Sequence, residues 1–265
     1  AGRVPPPGRG GAGTVRCRWL VDATGRRRAV AARCGAARRH TDRLVATLLE
    51  LPARSPAGPS SPTGSSTPVE STSLVESAAD GWWYTAPLPT GGRLVAHFTD
   101  ADLGPPPPGD RDAVDRLLGT TRYAAERAAA HPPGEGRPRR APAHSSHLDT
   151  PTGDGWTAVG DAAAAFDPIS SQGVLTALHT GTTAALAVHA RLDGDTTALD
   201  AYRRNVDALV AAYRRNHRTA YAAERRWADR PFWRRRHAPT GHPPTGPPPT
   251  GHPPTGHPPT ERTSA

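Results

Sequence analysis

The chain has 265 residues and a formal net charge of +9, and 35% of its residues are hydrophobic. This length suffices for one large domain or two small ones, which excludes a peptide. The hydrophobic residues together with the 27 glycines reach the average of globular proteins, which disfavours a wholly disordered chain. The sequence has no run of about 18 apolar residues and no basic leader followed by an apolar stretch, so it predicts a cytoplasmic protein without a membrane span.

All 33 basic residues are arginines, and the sequence contains no lysine and no methionine. Arginine in place of lysine fits GC-rich codons, so much of the positive charge follows from codon usage. The two cysteines, Cys17 and Cys34, belong to no CxxC pair or Cys/His cluster. They therefore predict neither a disulfide framework nor a metal site.

The first quarter of the chain combines loops with one clear strand. Residues 1–13 are rich in Pro, Gly and Arg and predict a loop, whereas the alternation in residues 15–21 predicts a strand. Residues 26–50 are predicted to be helical in part, ending in the apolar stretch Leu44 to Leu51. Residues 52–68 form a Pro/Ser/Gly spacer that we expect to be a solvent loop.

The middle of the chain changes to β-rich composition. Residues 69–100 hold three short β-rich stretches separated by Asp-Gly and Thr-Gly-Gly turns, which predicts an antiparallel sheet. Residues 110–130 return to helix formers, with Asp110 or Asp112 available as a cap. Residues 131–148 are predicted to be a loop.

Two helices are predicted near the end of the chain. The first runs from about Gln172 to Leu192, and we expect both of its sides to be closely packed. The second runs from about Thr197 to Trp227, with an apolar face toward a core and an arginine-rich face toward water. From His237 onward the chain is five near-copies of a Pro/Thr/Gly pentapeptide, which predicts a disordered or polyproline-like tail.

The pattern GxGxxG occurs once, at Gly8 to Gly13. Dinucleotide binding by this motif requires a strand before the glycines, a helix after them and an acid about 20 residues on. None of these accompanies the motif here, so these glycines are interpreted as a loop.

The string GDAAAAFDPISSQG, residues 160–173, is the most informative part of the sequence. A carboxylate at a strand end, Asp161, can accept hydrogen bonds from sugar or polyol hydroxyls. Pro168 restricts the loop that follows, and a helix beginning near Gln172 or Gly173 points free N–H groups at an anion or an electron-rich ring. The alternative is that Asp161 only caps a turn and Gly173 only relieves a tight bend.

Together with Trp19-Leu20-Val21-Asp22-Ala23-Thr24-Gly25-Arg26, this string resembles the FAD-dependent monooxygenases of the para-hydroxybenzoate hydroxylase type. Within that group, the sequence is most similar to the halogenase-like branch and to flavoproteins that mature quinone-cofactor amino-acid oxidases. The resemblance covers roughly residues 15–230 and implies an α/β fold, a partial class A flavin monooxygenase fold with an antiparallel β substrate part. It requires Asp161 and the strand that ends at Asp22 to share one cleft.

The resemblance implies FAD as the cofactor, with the Gly-Asp strand end at its ribityl chain and the proline loop against the flavin ring. The Asp-Ala-Thr-Gly turn would contribute to packing around the cofactor. The implied cofactor-binding residues are Asp22, Gly25, Gly160, Asp161, Pro168, Gln172 and Gly173.

The resemblance also divides the chain into six segments. They are a residual strand and helix of the FAD-binding domain (1–51), the spacer (52–68), the β substrate domain with its helix (69–130), a loop (131–148), the flavin-contacting part with the C-terminal helix (149–236) and the tail (237–265). The family's opening strand–GxGxxG–helix, which holds the FAD pyrophosphate, has no counterpart before Asp22. We therefore expect an N-terminally incomplete chain that lacks much of the binding energy for FAD.

A group of aromatic residues is the candidate substrate site. The string from Trp82 to Pro87 reads Trp-x-Tyr-x-Ala-Pro where halogenases carry Trp-x-Trp-x-Ile-Pro, and the lysine that halogenases use is absent, so halogenation is not supported. Trp82 and Tyr84 share one side of a strand and could line a cavity, although packing in the core is an equal alternative. His97 on the next strand is a candidate acid or base or, more commonly, a structural histidine. No catalytic residue is assigned.

The implied function is an FAD-dependent oxidoreductase that oxygenates a small aromatic or a protein-borne substrate. The alternative is a non-catalytic remnant or a basic binding module. For that alternative, the arginine face of the second helix and the aromatics Trp227, Phe232 and Trp233 would grip phosphates and stack bases. The sequence has no nucleic-acid-binding motif, so this class of partner is disfavoured.

Overall fold

A computed structural model describes residues 16–53, 71–134 and 136–238. The strands within them are β1 Leu20–Asp22, β2 Arg38–His40, β3 Leu44–Leu51, β4 Leu74–Ala78, β5 Gly81–Pro87, β6 Arg93–Asp100, β7 Arg139–Pro142, β8 Ser146–Leu148, β9 Thr152–Gly153, β10 Trp156–Ala158 and β11 Ala164–Ala165. The helices are α1 Ala29–Arg33, α2 Arg111–Leu118, α3 Tyr123–Ala129, α4 Gly173–Leu192, α5 Ala198–Ala222 and α6 Pro231–His237. The predicted α/β class is confirmed.

The largest unit is a five-stranded antiparallel sheet in the order β4-β5-β6-β3-β7. Its central strands are buried on both faces, because α2 and α3 cover one face while the end of α5 and α6 cover the other. Trp83 and Val95 lie on the first face, and Trp82 and Phe98 lie on the second. The antiparallel sheet predicted for residues 69–100 is thus confirmed, and so are the helices within residues 110–130.

Two three-stranded sheets lie beside the large sheet. In one, with the order β1-β10-β9, β1 pairs in parallel with β10. In the other, with the order β11-β8-β2, the pairs are antiparallel. These short strands bring residues near position 22 next to residues near position 160.

Helices α4 and α5 pack against each other and against the turn that follows β10. The buried side of α4 carries small residues, among them Thr176, Thr180 and Ala184, which permit close approach. The other side is solvent-exposed rather than packed as expected. Its large apolar residues are Val174, Leu175, Leu178 and Leu186, each between 65% and 77% exposed.

Three other predictions about local structure were wrong. The apolar stretch Leu44–Leu51 is the interior strand β3, between β6 and β7, and not the end of a helix, because its side chains pack on both faces of the large sheet. The predicted loop 131–148 contains β7 and β8. Helix α5 ends at Ala222, five residues before the predicted Trp227.

Among the described residues, no helix is long and apolar enough to cross a membrane. The glycine pattern at 8–13 and nearly all of the predicted spacer lie outside the described residues. So does the pentapeptide tail, except for its first two residues, of which His237 ends α6.

Candidate functional site

The two sequence strings that define the resemblance meet at one edge of a sheet. Because β1 runs parallel to β10, Asp22 pairs with Ala158 and both strands end together. The backbone N–H of Val159 donates to the Asp22 carbonyl at 3.0 Å, so the chain leaves β10 directly beside the Asp-Ala-Thr-Gly turn. The two strand ends that the resemblance requires to share one cleft are therefore adjacent.

Arg26 bridges the two turns across this cleft. Its Nε lies 3.6 Å from Oδ2 of Asp161, and the two side chains are 20% and 40% exposed. Arg26 also donates to the carbonyl oxygens of His144 and Phe166. Burial lowers the pKa of Arg26, and the nearby Asp161 carboxylate opposes that shift. Arg26 was not among the predicted site residues, although it directly follows Gly25 in the recognised string.

Asp22 faces inward rather than into the cleft. Its buried carboxylate accepts hydrogen bonds from the N–H and hydroxyl of Thr24 and from the N–H groups of Val30 and Ala31, at 2.6–3.0 Å. Burial raises the pKa of Asp22, but these hydrogen bonds outweigh it, and the net pKa lies below its ordinary value. Asp22 therefore orders the turn and the start of α1, and any effect on a ligand is indirect.

Position 160 requires glycine for two reasons, its backbone conformation and the lack of room for a side chain. Its φ of +55° lies in the left-handed region, and a Cβ there would sit 3.2 Å from Cβ of Ala177 on α4. Its N–H donates to the hydroxyl of Thr180 at 2.8 Å. The absence of a side chain thus lets the Gly160-Asp161 turn lie directly against α4.

Replacing Gly160 with alanine is expected to lower the free energy of unfolding by about 2 kcal/mol, from left-handed strain plus the crowded contact with Ala177. Chemical denaturation measures the change. Gly155→Ala is the matched control, because Gly155 has a φ of +72° and open space where its Cβ would be. Equal losses in the two variants would contradict a role for the contact with α4.

The proline loop ends at an open helix N-terminus. The side chain of Asp167 caps the 3₁₀ turn Pro168–Ser170, and Ser171 has a left-handed φ of +53°. Gln172 then precedes α4 without a side-chain capping bond, and the first turn of α4 has no acidic residue. A Cβ on Gly173 would meet nothing within 4 Å. The N–H groups of this turn are therefore open to an electron-rich or anionic partner.

The predicted substrate residues do not converge. Trp82 is 2% exposed and stacks on Phe98 with ring centroids 3.8 Å apart, which favours the alternative that Trp82 packs in the core. Tyr84 lies on the same face of the sheet. His97 lies on the opposite face beside Trp83, with ring centroids 4.7 Å apart. One substrate pocket cannot therefore use all three predicted side chains.

The fold is shared with a known class of proteins. The chain superposes on the peptidyl tryptophan dihydroxylase QhpG, essential for tryptophylquinone cofactor biogenesis, with a TM-score of 0.68 and 24% identity over 85% of this chain and 49% of QhpG. For CmlS, a flavin-dependent halogenase, the TM-score is 0.69 and the identity is 20%, over 88% of this chain and 42% of CmlS. The chain has the fold of the flavin-dependent halogenases and hydroxylases, as the resemblance predicted.

The chain is also similar in sequence to a curated protein, "Putative FAD-dependent oxidoreductase LodB" of Marinomonas mediterranea. The two are 30% identical over 231 residues, which is 85% of this chain and 58% of LodB. The chain therefore spans little more than half the length of this relative and about half or less of QhpG and CmlS. No protein-family model matches the sequence.

Proposed function

We propose that this chain forms part of an FAD-dependent oxidoreductase and that the cleft between the two turns holds the cofactor. The observation that carries the proposal is the ion pair between Arg26 and Asp161, which joins the two recognised strings at one sheet edge. Similarity to LodB and the halogenase and hydroxylase fold support the same assignment.

The residues present fit the ribityl chain and the ring of FAD. Asp161 keeps 40% of its side chain exposed, so its carboxylate can accept hydrogen bonds from ribityl hydroxyls. Gly160 keeps this turn close to α4, and Gly25 supports the neighbouring turn with a φ of +62°. Asp22 stabilises the turn beside the cleft through its buried hydrogen bonds to Thr24, Val30 and Ala31.

The proline loop would lie against the flavin ring. Pro168 and Gln172 shape the approach, and the absence of a side chain on Gly173 leaves room at the helix N-terminus. The open N–H groups of α4 favour negative charge at the part of the ring that they face. FAD supplies the redox chemistry when it is bound, while the chain binds, orients and electrostatically stabilises it.

We propose monooxygenase-type chemistry on an aromatic or protein-borne substrate. The name of QhpG, a peptidyl tryptophan dihydroxylase, supports a protein-borne aromatic group. The Trp-x-Tyr-x-Ala-Pro string, which departs from the halogenase pattern Trp-x-Trp-x-Ile-Pro, weighs against halogenation.

The structure weakens the alternative of a basic module that stacks bases. Phe232 and Trp233 are buried in the core and cannot receive a base, and Arg235 and Arg236 pair with Asp100.

FAD titration of the purified chain tests the proposal. Binding is expected to shift the visible absorbance bands of the added flavin and to change its fluorescence, and Asp161→Asn should raise the dissociation constant about tenfold through loss of a charge-assisted hydrogen bond. Asp154→Asn, an exposed aspartate in the turn before β10, is the matched control and should bind as the wild type does. Because the chain lacks the strand–GxGxxG–helix that binds the pyrophosphate, the titration extends to high FAD concentration. No binding at the highest concentration, or equal effects of the two substitutions, would contradict the proposal.

A further inference from the structure

A buried carboxylate controls the conformation of the proline loop. The Asp167 side chain is 0% exposed, and its Oδ1 accepts from the N–H of Ile169 at 2.9 Å. Its Oδ2 lies 2.8 Å from the hydroxyl of Tyr221 and 3.1 Å from Nε2 of His217. One oxygen thus shapes the loop, while the other ties the loop to helix α5.

Three ring residues of α5 form the ridge that receives this carboxylate. Tyr213, His217 and Tyr221 are spaced four residues apart, so they lie on one side of the helix. Adjacent ring centroids along the ridge are 5.2 Å and 4.7 Å apart. The backbone N–H of Asp167 donates to the Tyr213 hydroxyl at 3.1 Å, so the ridge holds both the main chain and the side chain of Asp167.

Tyr221 also connects the loop to the large sheet. Nε1 of Trp82 on β5 donates to the Tyr221 hydroxyl at 2.9 Å, while that hydroxyl donates to Asp167. Burial, together with the negative charge of Asp167, raises the pKa of Tyr221, so the hydroxyl keeps its proton. A hydroxyl can accept and donate at once, and phenylalanine at this position could do neither.

The loop requires such external support. Ser171 adopts a left-handed φ of +53° that a residue with a Cβ rarely takes, and Gln172 supplies no side-chain cap to α4. A strained local conformation persists when the surrounding contacts determine it. In the described residues, the hydrogen bonds that hold this loop to α5 are made by Asp167.

We propose that Tyr221 is a positioning residue. Through Asp167, it fixes the position of the loop 168–172, and of the start of α4, relative to the large sheet. This inference rests on the proposed function for the loop's place beside the flavin, but the coupling itself is a property of the folded chain. Neither Tyr221 nor Asp167 is assigned contact with a substrate.

Hydrogen–deuterium exchange on the full chain tests the coupling without any cofactor. Tyr221→Phe should speed exchange of peptides that span residues 167–172 by about tenfold, because it removes a hydrogen bond to a buried charge. Tyr202→Phe is the matched control. Tyr202 is a second buried tyrosine of α5, and its hydroxyl binds the Ala158 carbonyl away from the loop.

The two other partners extend the exchange experiment. Asp167→Asn, which keeps the size of the side chain, should also speed exchange in the loop and serves if Tyr221→Phe does not fold. Trp82→Phe, which removes the donor on the sheet together with part of the buried indole ring, should loosen the same loop. Exchange like that of the wild type in all of these variants, or an equal effect of Tyr202→Phe, would overturn the proposal.

The reduction potential of bound FAD separates this inference from the proposed function. Tyr221→Phe and Asp167→Asn should shift the potential, and Asp154→Asn, the exposed control of the FAD titration, should not. A wild-type chain that binds no FAD would count against the proposed function, while the exchange data would still decide the role of Tyr221. An unshifted potential in both variants would overturn the placement of the loop at the flavin.

Discussion

Arg236→Ala is expected to lower the free energy of unfolding by about 3 kcal/mol, because the buried Asp100 carboxylate loses both bonds from Arg236 and keeps only the bond from the partly exposed Arg235. The two side chains are 5% and 3% exposed, and Nη2 of Arg236 lies 2.8 Å from Oδ1 of Asp100. A second bond joins Nη1 of Arg236 to Oδ2 at 3.2 Å. The guanidinium also lies 3.6 Å from the ring centroid of Phe232, so its removal uncovers part of the core as well.

The adjacent arginine is a control for this prediction. Arg235 is 43% exposed and pairs mainly with Asp102, whose side chain is 35% exposed. Arg235→Ala should therefore cost less than about 1 kcal/mol, as exposed ion pairs do. Urea denaturation of both variants measures the two costs, and similar losses would contradict the assignment of the Arg236 pair as the buried one.

The local parts of the site could be predicted from the sequence. Each recognised string is a strand followed at once by a turn, and that pattern depends on neighbouring residues only. Gly160 and Gly25 stand where the backbone takes a positive φ, and the small residues before Thr180 allow α4 to lie close to the turn. Local patterns of this kind can be recognised in a single sequence.

Contacts between distant segments could not be predicted in this way. Leu44–Leu51 is an apolar run whose period fits a helix or a doubly buried strand, and only its pairing with β6 and β7 decides between them. Similarly, the partners of Asp167 lie 50 and 54 residues away on α5. The sequence assigned no register to the neighbouring strands, so it could not show that His97 lies on the face opposite Trp82 and Tyr84.

The register also explains why His97 should make stability depend on pH. His97 is 2% exposed against Trp83, and its Nδ1 has no hydrogen-bond partner among the described residues. Burial lowers the pKa of His97 from 6.5 to about 4. The unfolded chain therefore takes up a proton at a higher pH than the folded chain does. Stability from the neutral imidazole is complete above the unfolded pKa and is lost as the pH falls toward the folded value.

This shift corresponds to a loss of about 3 kcal/mol in the free energy of unfolding between about pH 6.5 and pH 4. Other groups titrate in the same range, so the measurement is the difference between the wild type and His97→Leu in urea denaturation at about pH 7 and about pH 4.5. The variant should lose clearly less stability than the wild type on acidification. His189→Gln, which changes a side chain that is 79% exposed, should follow the wild type. Parallel pH profiles of the wild type and His97→Leu would show that His97 is not held neutral by burial, which would reopen its assignment as an acid or base.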